Sequence, residues 1–433
     1  VNGVLGGDDG MKKVWLMILI VLLAILAACS IEEDIQNDTH DAIRLRIEED
    51  RQDLELLIAE LESNFPLLGP IYRRHGVDLH DRFLIIHRNM ERRTNLDQDR
   101  VGVELNNLTD RIWGAGHLSY LSHFMYREMI TRYYRWLSEF GDYYSLDALN
   151  QYYYDIMRSE AAMRRFGDIE IDLYYFDDMI FPYNVTTRII SEGEIAYISI
   201  GMFWHYNFEY DREIIFGFYE QITGFDHLIV DLRGNPGGFP GHFTELIMAP
   251  LIDDVLRGSY YEFFMAGSHA LLLAEATMGT DFYVEMEPTD TWFPAAAFVK
   301  ENNMTYFNPC DLEILDYVLP RNFITRPADH RVDFHGQIWL LIDGNSFSAA
   351  EMVAIYAKYS GFATLVGTPT GGVPGAMSAF AVLPNSGHIV RFDVGYITNR
   401  YGRSVEEFGV EPHYFNRPGM DALETVLALI NEG

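Results

Sequence analysis

Leu228-Ile229-Val230-Asp231-Leu232-Arg233-Gly234-Asn235-Pro236-Gly237-Gly238 decides how the second half of this chain folds. Its short apolar run, bounded by turn residues, reads as a buried strand. Asn-Pro-Gly then makes a turn, and two adjacent glycines free a backbone N–H to point at a neighbouring atom. Moving outward, the pattern repeats. Short apolar runs recur at 195–200, 338–342 and 363–366, with helical stretches at 212–223, 242–251 and 349–359 between them. Alternating strand and helix implies largely parallel pairing in an α/β layer fold. Runs at 379–383 and 389–394 flank Pro384-Asn385-Ser386-Gly387 as a hairpin, and a helix is expected at 421–430.

Upstream, residues 41–159 carry helical patterns. Leu54, Leu57, Ile58 and Leu61 fall at i, i+3, i+4 and i+7, and Pro66, Gly69 and Pro70 break that helix. The stretch 120–155 is loaded with Tyr, Phe, Trp and Met at helical spacing. Such a surface can line a peptide groove, but its plainer reading is core. Residues 258–336 interrupt the strand–helix alternation and are expected to be an insertion or lid.

A second stretch, Gly344-Asn345-Ser346-Phe347-Ser348-Ala349-Ala350-Glu351, follows the strand at 338–342 and opens a helix. Unpaired N–H groups at a helix start can hold an oxyanion beside a serine. Ser348-x-x-Glu351 is equally a capping box, which needs no chemistry, and taken alone the motif favours the cap. A third loop, Gly367-Thr368-Pro369-Thr370-Gly371-Gly372, follows the strand at 363–366. Three loops at the C-terminal ends of neighbouring strands occupy the place where α/β sheets build their sites.

Together with Gly409-Val410-Glu411-Pro412, these motifs resemble the C-terminal processing (tail-specific) serine peptidases, in family order from Glu194 to the C-terminus. The resemblance implies an α/β fold with a crotonase-like (ClpP/crotonase) peptidase core, peptide-bond hydrolysis, no cofactor and Ser348 as nucleophile. One branch of that family activates serine with a lysine, and the matching position here is Val373. Beyond the N-terminal segment only Lys300 and Lys358 exist, and Lys358 lies ten residues past Ser348 on one expected helix, about 15 Å along its axis. The other, tricorn-like, branch uses a histidine from the N-terminal region and a late glutamate. Of 14 histidines, His117 in Gly114-Ala115-Gly116-His117 resembles the histidine motif of that branch. Ala115 replaces the usual Asp, and Gly116 stands where the tricorn core has a serine bridging acid and histidine. The acid is expected at Glu406, with Glu407 turned away on an extended strand. Ala349 and one of Gly237 or Gly238 are expected to form the oxyanion hole. The alternative from another class is a crotonase-like module that has lost its chemistry and only binds peptide or lipid.

At the other end, Met11-Lys12-Lys13 and an apolar run 14–28 ending in small residues before Cys29 read as a secretory signal peptide. Leu26-Ala27-Ala28-Cys29 resembles a bacterial lipobox, whose cysteine is lipidated, so the protein is expected to be exported and tethered to the extracytoplasmic side of a bacterial membrane. The expected organisation is 1–28 upstream residues and signal peptide, 29–40 tether, 41–165 a helical N-terminal domain carrying the catalytic histidine, and 166–433 the peptidase core. Of the two cysteines, Cys310 would then be a lone thiol, expected buried. Two cysteines exclude a disulfide framework and cysteine-rich zinc sites. The formal charge of −32 over 433 residues argues against nucleic acid as a partner, because phosphate backbones would repel the chain. The expected partners are protein or peptide substrates and, through the lipid, a membrane.

Overall fold

The computed structural model describes residues 41–90, 99–112, 114–139, 147–171, 176, 179–276, 285–286, 292–375 and 377–432. The signal peptide, lipobox and tether expected at 1–40 lie outside them.

The apolar runs build one six-stranded sheet in the order Tyr414–Phe415, Thr364–Gly367, Gln337–Ile342, His227–Asp231, Ile195–Ile200, Val185–Ser191. All neighbours are parallel except Val185–Ser191, which closes the edge antiparallel. Side chains alternate between two cores, as the period of a strand demands. Leu228, Val230, Leu340, Ile342 and Leu365 enter one core with the helix Ala349–Ser360, whereas Ile229, Leu341 and Val366 face Val426 of the helix Ala422–Glu432. Burial on both faces is why these runs carry no polar alternation.

The expected hairpin forms between Ser378–Val382 and Ile389–Asp393, and a two-residue strand, Ser119–Tyr120, adds to its other edge. A further sheet pairs Leu256–Phe264 with Tyr317–Thr325 and Tyr396–Thr398, so the stretch 258–336 supplies long strands of its own.

The helical region begins with a helix over 41–64, where Leu54, Leu57 and Leu61 are buried as their spacing requires. Its Asp53 accepts the backbone N–H groups of Asn385 (2.9 Å) and Ser386 (2.7 Å), tying the hairpin turn to the helix. This region shares one apolar core with the hairpin, through Phe65, Tyr126, Phe380 and Phe392 among others. Tyr126, Tyr133 and Tyr153 are buried, so much of the aromatic stretch is core.

Two expectations are corrected. Cys310 is exposed, because it sits at the start of the short helix Pro309–Leu312, where Asn308 Oδ1 accepts its N–H. The chain around Glu406 and Glu407 is not extended but forms the helical turn Val405–Phe408, with Ser404 accepting the N–H of Glu407. The opposite-faces argument drawn from strand geometry therefore does not apply there.

Candidate active site

Ser348 sits where the strand Gln337–Ile342 has ended and the helix Ala349–Ser360 begins. Its φ is 52° and its hydroxyl makes no capping bond. The capping-box reading fails for a second reason. Glu351 turns instead to the next loop, accepting the Thr370 hydroxyl and the N–H groups of Gly372 and Val373. Burial pushes the Glu351 carboxyl up to about 7, against the pull of those hydrogen bonds. Ser346 is buried and donates to the Leu232 carbonyl (2.8 Å), so it is a structural turn residue rather than a second candidate nucleophile.

The Ser348 hydroxyl faces His117, with Nε2 to Oγ at 3.0 Å. Across the ring, Nδ1 faces Asp393 Oδ2 at 2.7 Å. The expectation that Glu406 lies against the imidazole is corrected, and strand register gives the reason. Ser119 pairs with Arg391 and Tyr120 with Val390, so carrying that antiparallel register back two residues sets His117 against Asp393. The neighbouring strand pairs Ser378 with Asp393, and the Ser378 hydroxyl donates to Asp393 Oδ1 at 2.6 Å. Both oxygens of this buried carboxylate are thus engaged. Sequence reasoning missed Asp393, although a signal existed: Arg391 and Asp393 are charged residues two apart on a strand whose other residues are apolar.

Glu406 lies one step removed. Its Oε1 accepts the N–H of Gly116 at 2.8 Å, and its Oε2 has no hydrogen-bond partner among the described residues. Burial, with Asp393 and Glu351 nearby, pushes its carboxyl well above the usual carboxylate range. Gly116 has φ 57°, and a Cβ there would lie 2.5 Å from the Phe65 ring, so a serine does not fit this turn. Glu407 reaches Arg73 instead, at 2.8 Å. Among the described residues, only His117, Ser348 and Asn303 are non-glycine residues with positive φ. Such strained conformations gather at functional sites.

Of the expected oxyanion donors, Gly237 is excluded in this geometry because its N–H donates to Asn235 Oδ1 (2.8 Å). It serves by closeness, since a Cβ on Gly237 would sit 2.8 Å from Ser348 Cβ. Gly238 and Ala349 line the cavity beside Ser348. Ala349 opens its helix, so its N–H has no partner within that helix. The cavity holds about 530 Å³, and His117, Ser348, Tyr133, Tyr153, Phe380 and Arg391 are among its walls. No lysine lines it. Lys358 donates to the Glu411 carbonyl at 2.6 Å, Lys300 lies on the helix Ala295–Glu301, and Val373 is buried. No group of three or more His, Cys, Asp or Glu among the described residues could hold a metal.

Residues 194–415 match the sequence model described as "Peptidase family S41". The chain belongs to peptidase family S41. It is a serine peptidase, a hydrolase of peptide bonds, with a crotonase-like α/β core and a helical N-terminal region. The S41 match includes Gly238, Ser348, Asp393 and Glu406 but not His117, which the helical region supplies. Among solved structures, a putative peptidase from Parabacteroides merdae is similar, with 17% identity over 88% of this chain and 96% of that one and a TM-score of 0.50. Mature CPAF (14% identity, 86% and 93% covered, TM-score 0.47) and the photosystem II D1 C-terminal processing protease (11%, 86% and 94%, 0.39) are more distant. No curated protein matches the chain.

Proposed function

We propose that this S41 peptidase is an exported, membrane-tethered serine endopeptidase working through Ser348, His117 and Asp393. The carrying observation is the run of two contacts, Ser348 Oγ to His117 Nε2 at 3.0 Å and His117 Nδ1 to Asp393 at 2.7 Å, opening on the cavity. Neutral His117 takes the Ser348 proton as the oxygen attacks a peptide carbonyl. Asp393 holds the tautomer with the proton on Nδ1 and stabilises the imidazolium that forms. Ser378 keeps the carboxylate from rotating. The N–H groups of Gly238 and Ala349 hold the oxyanion. His117 then protonates the leaving amine, and water hydrolyses the acyl-enzyme by the same route. Glu406 positions the His117 turn through Gly116 and takes no proton.

A serine-directed fluorophosphonate should label wild-type protein at Ser348 and should not label Ser348→Ala. Loss of casein or peptide cleavage in Ser348→Ala and His117→Ala should accompany this. Wild-type protein that neither labels nor cleaves would leave the peptide- or lipid-binding alternative standing. The tether rests on the lipobox alone, and mass spectrometry of membrane-fraction protein should find Cys29 acylated at the mature N-terminus. An unmodified Cys29 there would remove the anchor from the reading.

A further inference from the structure

The cavity beside Ser348 is lined by three guanidinium groups, Arg132, Arg321 and Arg391, and one carboxylate, Glu262, in a chain whose formal charge is −32. Two of the three cations are neutralised in place. Arg321 meets Glu262 across the paired strands, with Nε and Nη2 each 2.6 Å from Oε2. Arg132 meets Glu128 at 3.0 Å, one helical turn back. Arg391 differs. Its Nε donates to the Ser378 hydroxyl at 2.9 Å, and among the described residues no carboxylate forms an ion pair with it. The nearest acid in that network, Asp393, has both oxygens engaged by His117 and Ser378.

Register explains why the group is there. Arg391 lies opposite Phe380 on one side and Ser119 on the other, one row along from the Ser378–Asp393–His117 row. The guanidinium is therefore fixed by the same hairpin that fixes the base, and Phe380, Tyr133 and Tyr153 wall the cavity around it. Nη donors in such a half-buried, aromatic-walled place suit a carboxylate, whose two oxygens match the planar fork. An amide of the same shape offers one acceptor and no charge.

Resting on the proposed peptidase function, we propose that Arg391 is a specificity-determining residue that receives the carboxylate of a substrate Asp or Glu side chain beside the scissile bond. The chain's overall negative charge narrows this further. An acidic tract is repelled by the surface, while one acidic residue in a neutral or basic segment meets mainly the local cation, since distant charges are screened beyond about 8 Å.

The test uses internally quenched peptides with acetylated and amidated ends, identical but for Glu or Gln at the positions flanking the cleaved bond. Wild-type enzyme should favour Glu over Gln by roughly tenfold in kcat/KM. The ratio is taken within each variant, so a general fall in turnover does not disturb it, and fluorophosphonate labelling of Ser348 certifies that each variant is folded. Arg391→Gln should bring the ratio near one, Arg391→Glu should turn the preference towards Lys peptides, and Arg391→Lys should retain part of the Glu preference. A wild-type enzyme that labels and cleaves with a ratio near one overturns the subsite. So does a Glu preference that survives in Arg391→Glu. A dependence on a free C-terminal carboxylate, found with free-acid versions of the Gln peptides and lost in Arg391→Gln, overturns it in favour of recognition of the chain end. No labelling and no cleavage of any peptide would overturn the proposed function, and the subsite with it.

Discussion

Around Ser348 the site is made by neighbouring loops of one sheet, whereas around His117 it is made by three segments that meet only through antiparallel pairing. On the first side, Gly238, Ser348 and Ala349 follow the strands His227–Asp231 and Gln337–Ile342, which lie side by side in the parallel sheet. Each loop sits where its strand ends, so its position follows from the strand. On the second side, His117 precedes a two-residue strand, and Asp393 and Ser378 belong to a hairpin more than 250 residues later in the chain. A register shift of one residue there would turn Asp393 away from the ring, while nothing in the central sheet would change. The Ser348 side is thus robust and generic, and the His117 side is specific and fragile.

The largest effect should come from breaking the first side. Ser348→Ala should lower turnover by roughly 10⁶-fold, to background, as removal of a nucleophile does in other serine peptidases. Ser346→Ala, two residues away, should keep partial activity and lose about 1 kcal/mol of stability for its buried hydrogen bond. An inactive Ser346→Ala beside an active Ser348→Ala, in the same peptide assay, would exchange their roles.

Next comes the second side. Asp393→Asn should lower turnover by roughly 10⁴-fold with folding intact, since an amide opposite Nδ1 favours the wrong tautomer. Near-wild-type kcat in this variant would show that the 2.7 Å contact with His117 does not serve the reaction.

A third prediction concerns the junction between the Ser348 helix and the loop at 370–373. The Glu351 carboxyl is pushed from 4.5 up to about 7 by burial, so the folded chain holds its proton more tightly than the unfolded chain does. The stability this gives is fully present below about pH 4.5 and is lost as pH rises to about 7, on the order of 3 kcal/mol in all. Glu351→Gln should remove that part of the slope in urea unfolding measured from pH 4.5 to 7.5. An unchanged slope would place the titration elsewhere.

The smallest effect separates the two acids. Glu406→Gln should stay within about threefold of wild-type turnover, because the Glu406 side chain meets the His117 turn through the Gly116 N–H, which an amide oxygen can still accept. Glu407→Gln, which weakens a half-buried pair with Arg73 away from the cavity while Arg73 keeps Asp311, should do the same. A loss of 10²-fold or more in Glu406→Gln alone would return the orienting role to Glu406.

The sequence by itself determined the parallel sheet, the loops that end its strands, the helix-start serine and the scarcity of lysine. Those features are local: apolar period and turn residues act within about ten positions, and a buried parallel strand needs no distant partner to be recognised. It also singled out His117 by a resemblance carried on four residues. Only the tertiary structure decided which acid faces that histidine. Glu406 and Asp393 are both buried late carboxylates, and no local pattern ranks one above the other. The choice was made by the pairing of Ser119–Tyr120 with Ile389–Asp393, a contact between segments about 270 residues apart that turn geometry and propensity cannot specify. The same pairing set Arg391 on the cavity wall, and the turn at Val405–Phe408 withdrew Glu406 to the Gly116 backbone.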